Sequence, residues 1–108
     1  MTRDFTFVLT AANQWYNLWN DLITKDSSYD ATASYGPFVP SVVCELKFQN
    51  QVPGVNIYRS DSKLESGFLL TGGSWDVDRA DRNSINLKNN NFKSDTAGAK
   101  LYVKVTSN

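Results

Sequence analysis

"NQWYNLWNDLI", residues 13–23, can be read in two ways, and the choice decides how the N-terminal part of the fold is built. Trp15, Leu18, Trp19, Leu22 and Ile23 follow the helical spacing i, i+3, i+4, i+7, i+8. Asn13 could cap such a helix, but its end runs into "TKDSS" without the usual glycine. The alternative is a strand with Trp15, Asn17 and Trp19 on one face and Tyr16 and Leu18 on the other, a setting that aromatic residues favour. On pattern alone the two readings stand level.

The flanking sequence is less ambiguous. "DFTFVLT" upstream alternates strictly, with Phe5, Phe7 and Leu9 on one face. An aspartate and interleaved threonines make it a strand and not a secretory leader. Further period-two runs follow at Val42–Gln49, Val55 with Ile57, Gly67–Leu70, Trp75 with Val77, Ile85 with Leu87, and Leu101, Val103 and Val105. The turn signals "NQVPG", "SDSKLESG", "TGGS", "DRADRN", "NNN" and "SDTAGA" separate them. About eight short strands at this spacing predict a single all-β domain over residues 1–108, an antiparallel, jelly-roll-like sandwich. Residues 24–41, "TKDSSYDATASYGPFVPS", break the rhythm and read as one long loop carrying Tyr29, Tyr35 and Phe38. A loop of that length in a small domain usually has a function.

Composition narrows the chemistry. The 108 residues hold eleven basic and eleven acidic side chains and no histidine. A chain of this length buries roughly 65% of its unfolded surface, enough for one core and no separate catalytic lobe. Zero net charge gives no basis for capturing nucleic acid or an anionic membrane, and no stretch reaches the length of a membrane span. Without histidine the usual triads and most zinc sites are ruled out. Asp76, Asp78 and Asp81 in "DVDRADR" suggest a calcium loop only superficially, since the central glycine is missing and Leu87 stands where a closing glutamate belongs. "TGGS" leads into a strand and not a helix, so it is no phosphate loop. No cofactor and no enzymatic activity are expected. The single cysteine, Cys44, shares a strand face with Val42, Leu46 and Phe48 and reads as a buried structural thiol.

Three tryptophans remain. Trp75 shares a face with Val77 and reads as core. Trp15 and Trp19 fit either a core-and-partner surface or a platform for sugar rings, as in carbohydrate-binding modules.

From residue 42 onward the order of pieces resembles small β-rich bacteriophage virion proteins. "VVCELKFQNQVPGVNIYRSD" is similar to their "I-x-I-x-N" strand, turn and "V-Y-I-G" strand. "GFLLTGGSWDVD" resembles "G-x-x-L-x-x-G-x-S-x-x-L-D", and "INLKNNNFKSDTAGAKLYVKV" resembles "L-x-x-L-Y-I-x-S-D-T-A-G-x-x-V-x-V". "FTFVLTAANQWYNL" is similar to an opening in which "T-L-T-A" ends one strand and another follows, which tips residues 14–20 toward strand. Phe92 departs from the pattern, standing where the family tends to have Leu-Tyr.

The resemblance implies a virion protein made in the bacterial cytoplasm. The role it favours is a decoration or cement subunit on the outside of the head, with a neck or tail accessory role as the variant. Its partners would be the major capsid protein or other virion proteins, met as a trimer or ring of like subunits. Tyr29, Tyr35 and Phe38, with Trp15 and Trp19, are the expected partner-binding residues. The competing class is a carbohydrate- or receptor-binding module on a tail or fibre.

Overall fold

In the computed structural model residues 1–26, 39–61 and 68–108 are described. They contain ten β segments: β1 (Thr2–Leu9), β2 (Tyr16–Asn17), β3 (Val42–Val43), β4 (Glu45–Asn50), β5 (Ile57–Ser60), β6 (Phe68–Leu70), β7 (Trp75–Arg79), β8 (Ile85–Asn86), β9 (Asn91–Ser94) and β10 (Ala99–Thr106). All pair antiparallel. One four-stranded sheet, here sheet A, has the order β1-β10-β4-β7; the other, sheet B, has β2-β9-β5-β6, and β3 and β8 form a small ribbon. Apart from the β5–β6 hairpin and the small β3–β8 ribbon, successive strands switch between the two sheets in the order of an eight-stranded jelly roll, so the predicted fold class is the observed one.

The core lies between the sheets. Phe5, Phe7 and Leu9 of β1, Leu46 and Phe48 of β4, and Leu101, Val103 and Val105 of β10 point inward from sheet A. Ile57, Leu70 and Phe92 meet them from sheet B. Phe48 and Phe92 touch edge to face across the gap, with ring centroids 5.4 Å apart and planes at 65°.

Both readings of residues 13–23 survive in part. Asn13 adopts φ 59°, a left-handed conformation that asparagine tolerates, and its N–H donates to the Ser94 carbonyl, turning the chain from sheet A to sheet B. Only Tyr16–Asn17 is strand, so the expected strand over 14–20 is corrected. Leu18–Ile23 winds into a single wide helical turn in which the Thr24 N–H bonds the Trp19 carbonyl five residues back. Asn17 starts that turn. Its Oδ1 accepts from the N–H groups of Trp19 and Asn20, while Asp21 accepts from the Asn17 N–H. The Asn17 Nδ2 also donates to the Lys88 carbonyl and the Asn91 Oδ1, fixing the turn to the far end of sheet B. Leu18, Leu22 and Ile23 are thereby buried, as helical spacing requires.

Four further expectations are revised. β9 starts inside "NNN", which reads as turn, and has a single apolar residue, yet it sits in the middle of sheet B. The chain breaks between β3 and β4 at Cys44, so Val43 and not Val42 is buried with Leu46 and Phe48. Cys44 itself is only half-buried, its thiol donating to the Thr106 carbonyl at 3.2 Å. Trp75 lies on the outside of the sandwich.

Asn50 holds the two sheets together at one end. It is fully buried; its Nδ2 donates to the carbonyls of Val55 and Leu70, and its Oδ1 accepts from the Val52 N–H. Asn50→Ala would strand two carbonyls and one N–H and is expected to cost about 2 kcal/mol, read as a lower urea midpoint at unchanged slope.

Candidate functional site

β7 pairs with β4 so that Asp76 stands opposite Phe48 and Asp78 opposite Leu46. Directly paired residues share a face, so both aspartates point toward the interior and Trp75 and Val77 point out. Asp78 is accommodated there by an ion pair with Arg59 of sheet B. The Arg59 guanidinium also lies 4.8 Å over the Phe48 ring and donates to the Asn90 side chain. This cross-sheet pair explains the inverted polarity of β7, with carboxylates inside and the indole outside. Among the described residues, Trp75 at 58% is the most exposed large hydrophobic side chain.

Trp75 belongs to the outer face of sheet A. The register places Thr6, Tyr102, Gln49 and Trp75 in one row across the four strands, and Asp4, Lys104, Lys47 and Val77 in the next. The Lys47 ammonium sits 4.6 Å over the Trp75 ring. Tyr102 donates to Asp4 at 3.4 Å. Desolvation first, then the Asp4 charge and this hydrogen bond, raise Tyr102 above the ordinary tyrosine range and keep its phenol neutral. Arg79 pairs with Glu45 at 3.0 Å. Among the described residues no carboxylate pairs with Lys47, Lys100 or Lys104, so this face of an electrically neutral chain is cationic around an exposed indole. Lys47 and Lys104 stand directly opposite each other on the two central strands, a like-charge pairing that weakens a sheet.

Scans against protein-family models, curated proteins and solved structures find no match. The chemistry of the two outer faces is therefore the direct guide to function.

Sheet B presents a second, smaller aromatic row. Lys93, Tyr58 and Leu69 are aligned across β9, β5 and β6, and Trp15 sits one residue before β2 at the same edge. The Lys93 ammonium lies 4.9 Å from the Trp15 ring centroid and 5.7 Å from that of Tyr58. Trp15 is half-buried in this stack. Trp19, in the helical turn, is half-buried against the core. The two tryptophans do not form one platform, and neither is the exposed ring that a sugar-stacking role for them requires. Tyr29, Tyr35 and Phe38 lie outside the described residues. Sequence reasoning missed Trp75, because alternation in "SWDVD" defines two faces without saying which is inside. No group of His, Cys, Asp or Glu able to hold a metal ion occurs among the described residues.

Proposed function

We propose that this chain is a non-enzymatic structural subunit of a bacteriophage virion, a decoration or cement protein that seats the outer face of sheet A on the head. The observation that carries the reading is the exposed Trp75 ring, capped by Lys47 and set among lysines without carboxylate partners on the outer face of sheet A. Tryptophan and tyrosine are enriched where a few residues supply most of an interface's binding energy. Excess lysines suit an acidic protein surface and would speed its capture. The jelly roll supports the reading as an architecture shared by viral capsid and lectin domains, and the sequence resemblance supplies the virion context. A subunit that binds only the assembled shell stabilises it by mass action, more strongly as copies accumulate.

The test is re-addition of purified chain to particles that lack it. Trp75→Ala is expected to weaken binding by about 2 kcal/mol, roughly thirtyfold, with an unchanged circular dichroism spectrum because the ring is on the solvent side. Binding should also weaken as salt rises from about 0.05 to 0.5 M, since exposed charges are screened. Unaltered binding by the variant would remove the face from the interface.

One observation favours a second reading, a carbohydrate-binding module. Gln49 and Tyr102 follow Trp75 in a single row, polar groups beside a stacking ring. Soluble glycans would then change the tryptophan fluorescence of the wild type and not of Trp75→Ala. A flat titration across neutral and acidic glycans rejects that reading.

A further inference from the structure

We infer that β1 is a homotypic docking edge, through which two copies of this chain join their A sheets into one continuous eight-stranded sheet. The inference stands on the geometry of β1 and does not depend on the virion reading.

β1 is the edge strand of sheet A, hydrogen-bonded on one side only. Its inner side is fixed by the reciprocal bonds between Met1 and Ser107, N–H to carbonyl in each direction at 2.8 Å. Antiparallel alternation then directs the N–H and C=O groups of Arg3, Phe5, Phe7 and Leu9 toward β10. Those of Thr2, Asp4, Thr6 and Val8 point to the open edge. No other described strand pairs with them.

Edges of this kind are usually blunted, and the other three here are. β7 carries Asp76 and Asp78 pointing inward; β2 has 2 residues and β6 has 3. β1 carries such charges only at its start, where Arg3 lies over the Phe5 ring on the inner side and Asp4 is exposed. It runs for 8 residues in unbroken register, without proline, lysine or bulge, and Phe5–Leu9 has no charge. Val8, 48% exposed, adds one of the few large apolar side chains left on the surface.

The occupant is a second copy because the strand is self-complementary in one register. Two β1 strands antiparallel about a two-fold axis at Phe5 pair from Thr2 to Val8, so every residue with open-edge backbone groups finds a partner. Asp4 of each copy then faces Thr6 of the other, Thr2 faces Val8, and Arg3 faces Phe7. Centring on Asp4 instead would oppose two carboxylates, a destabilising arrangement. Centring on Thr6 would leave Thr2 without a partner in the strand. The dimer leaves Trp75 on the far edge of each sheet free for another partner.

An edge pair of this size is smaller than a standard interface, so a Kd on the order of 10–100 µM is expected. Sedimentation equilibrium of the full chain up to about 1 mM, an upper bound chosen to exceed that Kd tenfold or more, tests it. A monomer throughout would overturn the inference. Register is tested by charge. Thr6→Asp places a carboxylate opposite Asp4 twice per dimer and should raise Kd roughly fivefold, whereas Thr6→Lys should lower it by a similar factor. Within one chain the order is reversed, because Lys100 and Lys104 flank position 6 on β10 and favour the aspartate. A difference that follows monomer stability, or no difference between the two variants, would contradict this pairing. Thr6→Pro removes an edge-facing N–H without touching the β1–β10 ladder and should abolish the dimer. If that variant does not fold, the two charge variants still decide the question.

Discussion

Phe92→Ala is expected to lower stability by about 4 kcal/mol and the melting temperature by roughly 20 °C, the largest loss of any single truncation considered. The ring is fully buried and is the main contribution of β9 to the core. It meets Phe48 edge to face across the sandwich, so its removal opens a cavity that both sheets line. Relaxation is limited there, because β9 is held by β2 on one side and β5 on the other. Phe92→Leu should retain more than half of the stability lost by alanine, since it keeps most of the apolar volume while losing the ring contact. Thermal melts of the three proteins check this. A loss under about 1 kcal/mol for alanine would mean that the sheets do not close on this residue.

Gly72→Ala is expected to cost about 3 kcal/mol, although it adds a single methyl group. A Cβ at Gly72 would stand 2.5 Å from the Val52 carbonyl oxygen, 2.6 Å from the Pro53 Cα and 2.9 Å from the Gly54 nitrogen. All three are backbone atoms, so no rotamer change relieves the clash and one loop must move. Moving it pulls on Asn50, which accepts from the Val52 N–H and donates to Val55 and Leu70. Neighbouring Gly73 is different. It has φ 86° and open space around its Cβ position, so alanine there meets backbone strain only and should cost about 1 kcal/mol. Denaturant midpoints should therefore fall further for position 72 than for 73, and the reverse order would contradict the packing of the two loops.

Much of this architecture can be read from alternation. The β1 and β10 runs, the buried pair Leu46 and Phe48, and the turns around "NQVPG" and "TGGS" carry period two and strong punctuation, and they stand where the pattern puts them. Strand positions without that signal were not legible. β9 offers one apolar residue in four, and its place in sheet B comes from its pairing with β2 and β5, a long-range fact. Residues 13–23 kept two periods at once because the chain uses both, a two-residue strand and then one helical turn. The changeover is set by Asn17, whose capping bonds are local and were in principle readable.

The candidate site was less legible than the fold. For β7 the usual assumption places Trp75 and Val77 inside, but Arg59 on the opposite sheet supplies a partner that makes Asp78 the inward residue. That compensation lies 19 residues away in the chain and leaves no local mark. Trp15 and Trp19 read as a partner surface or a sugar platform, whereas in the structure one is stacked with Lys93 and the other packs on the core. The lysine pair at positions 47 and 104 becomes visible only once β4 and β10 are set side by side.

The role proposed for this jelly roll is that of a repeated component of a virion surface. Quantitative mass spectrometry of purified particles tests it directly, by giving the copy number of this chain relative to the major capsid protein. Abundance close to that of the capsid subunit is the expected result. Complete absence of the chain from particles would contradict it.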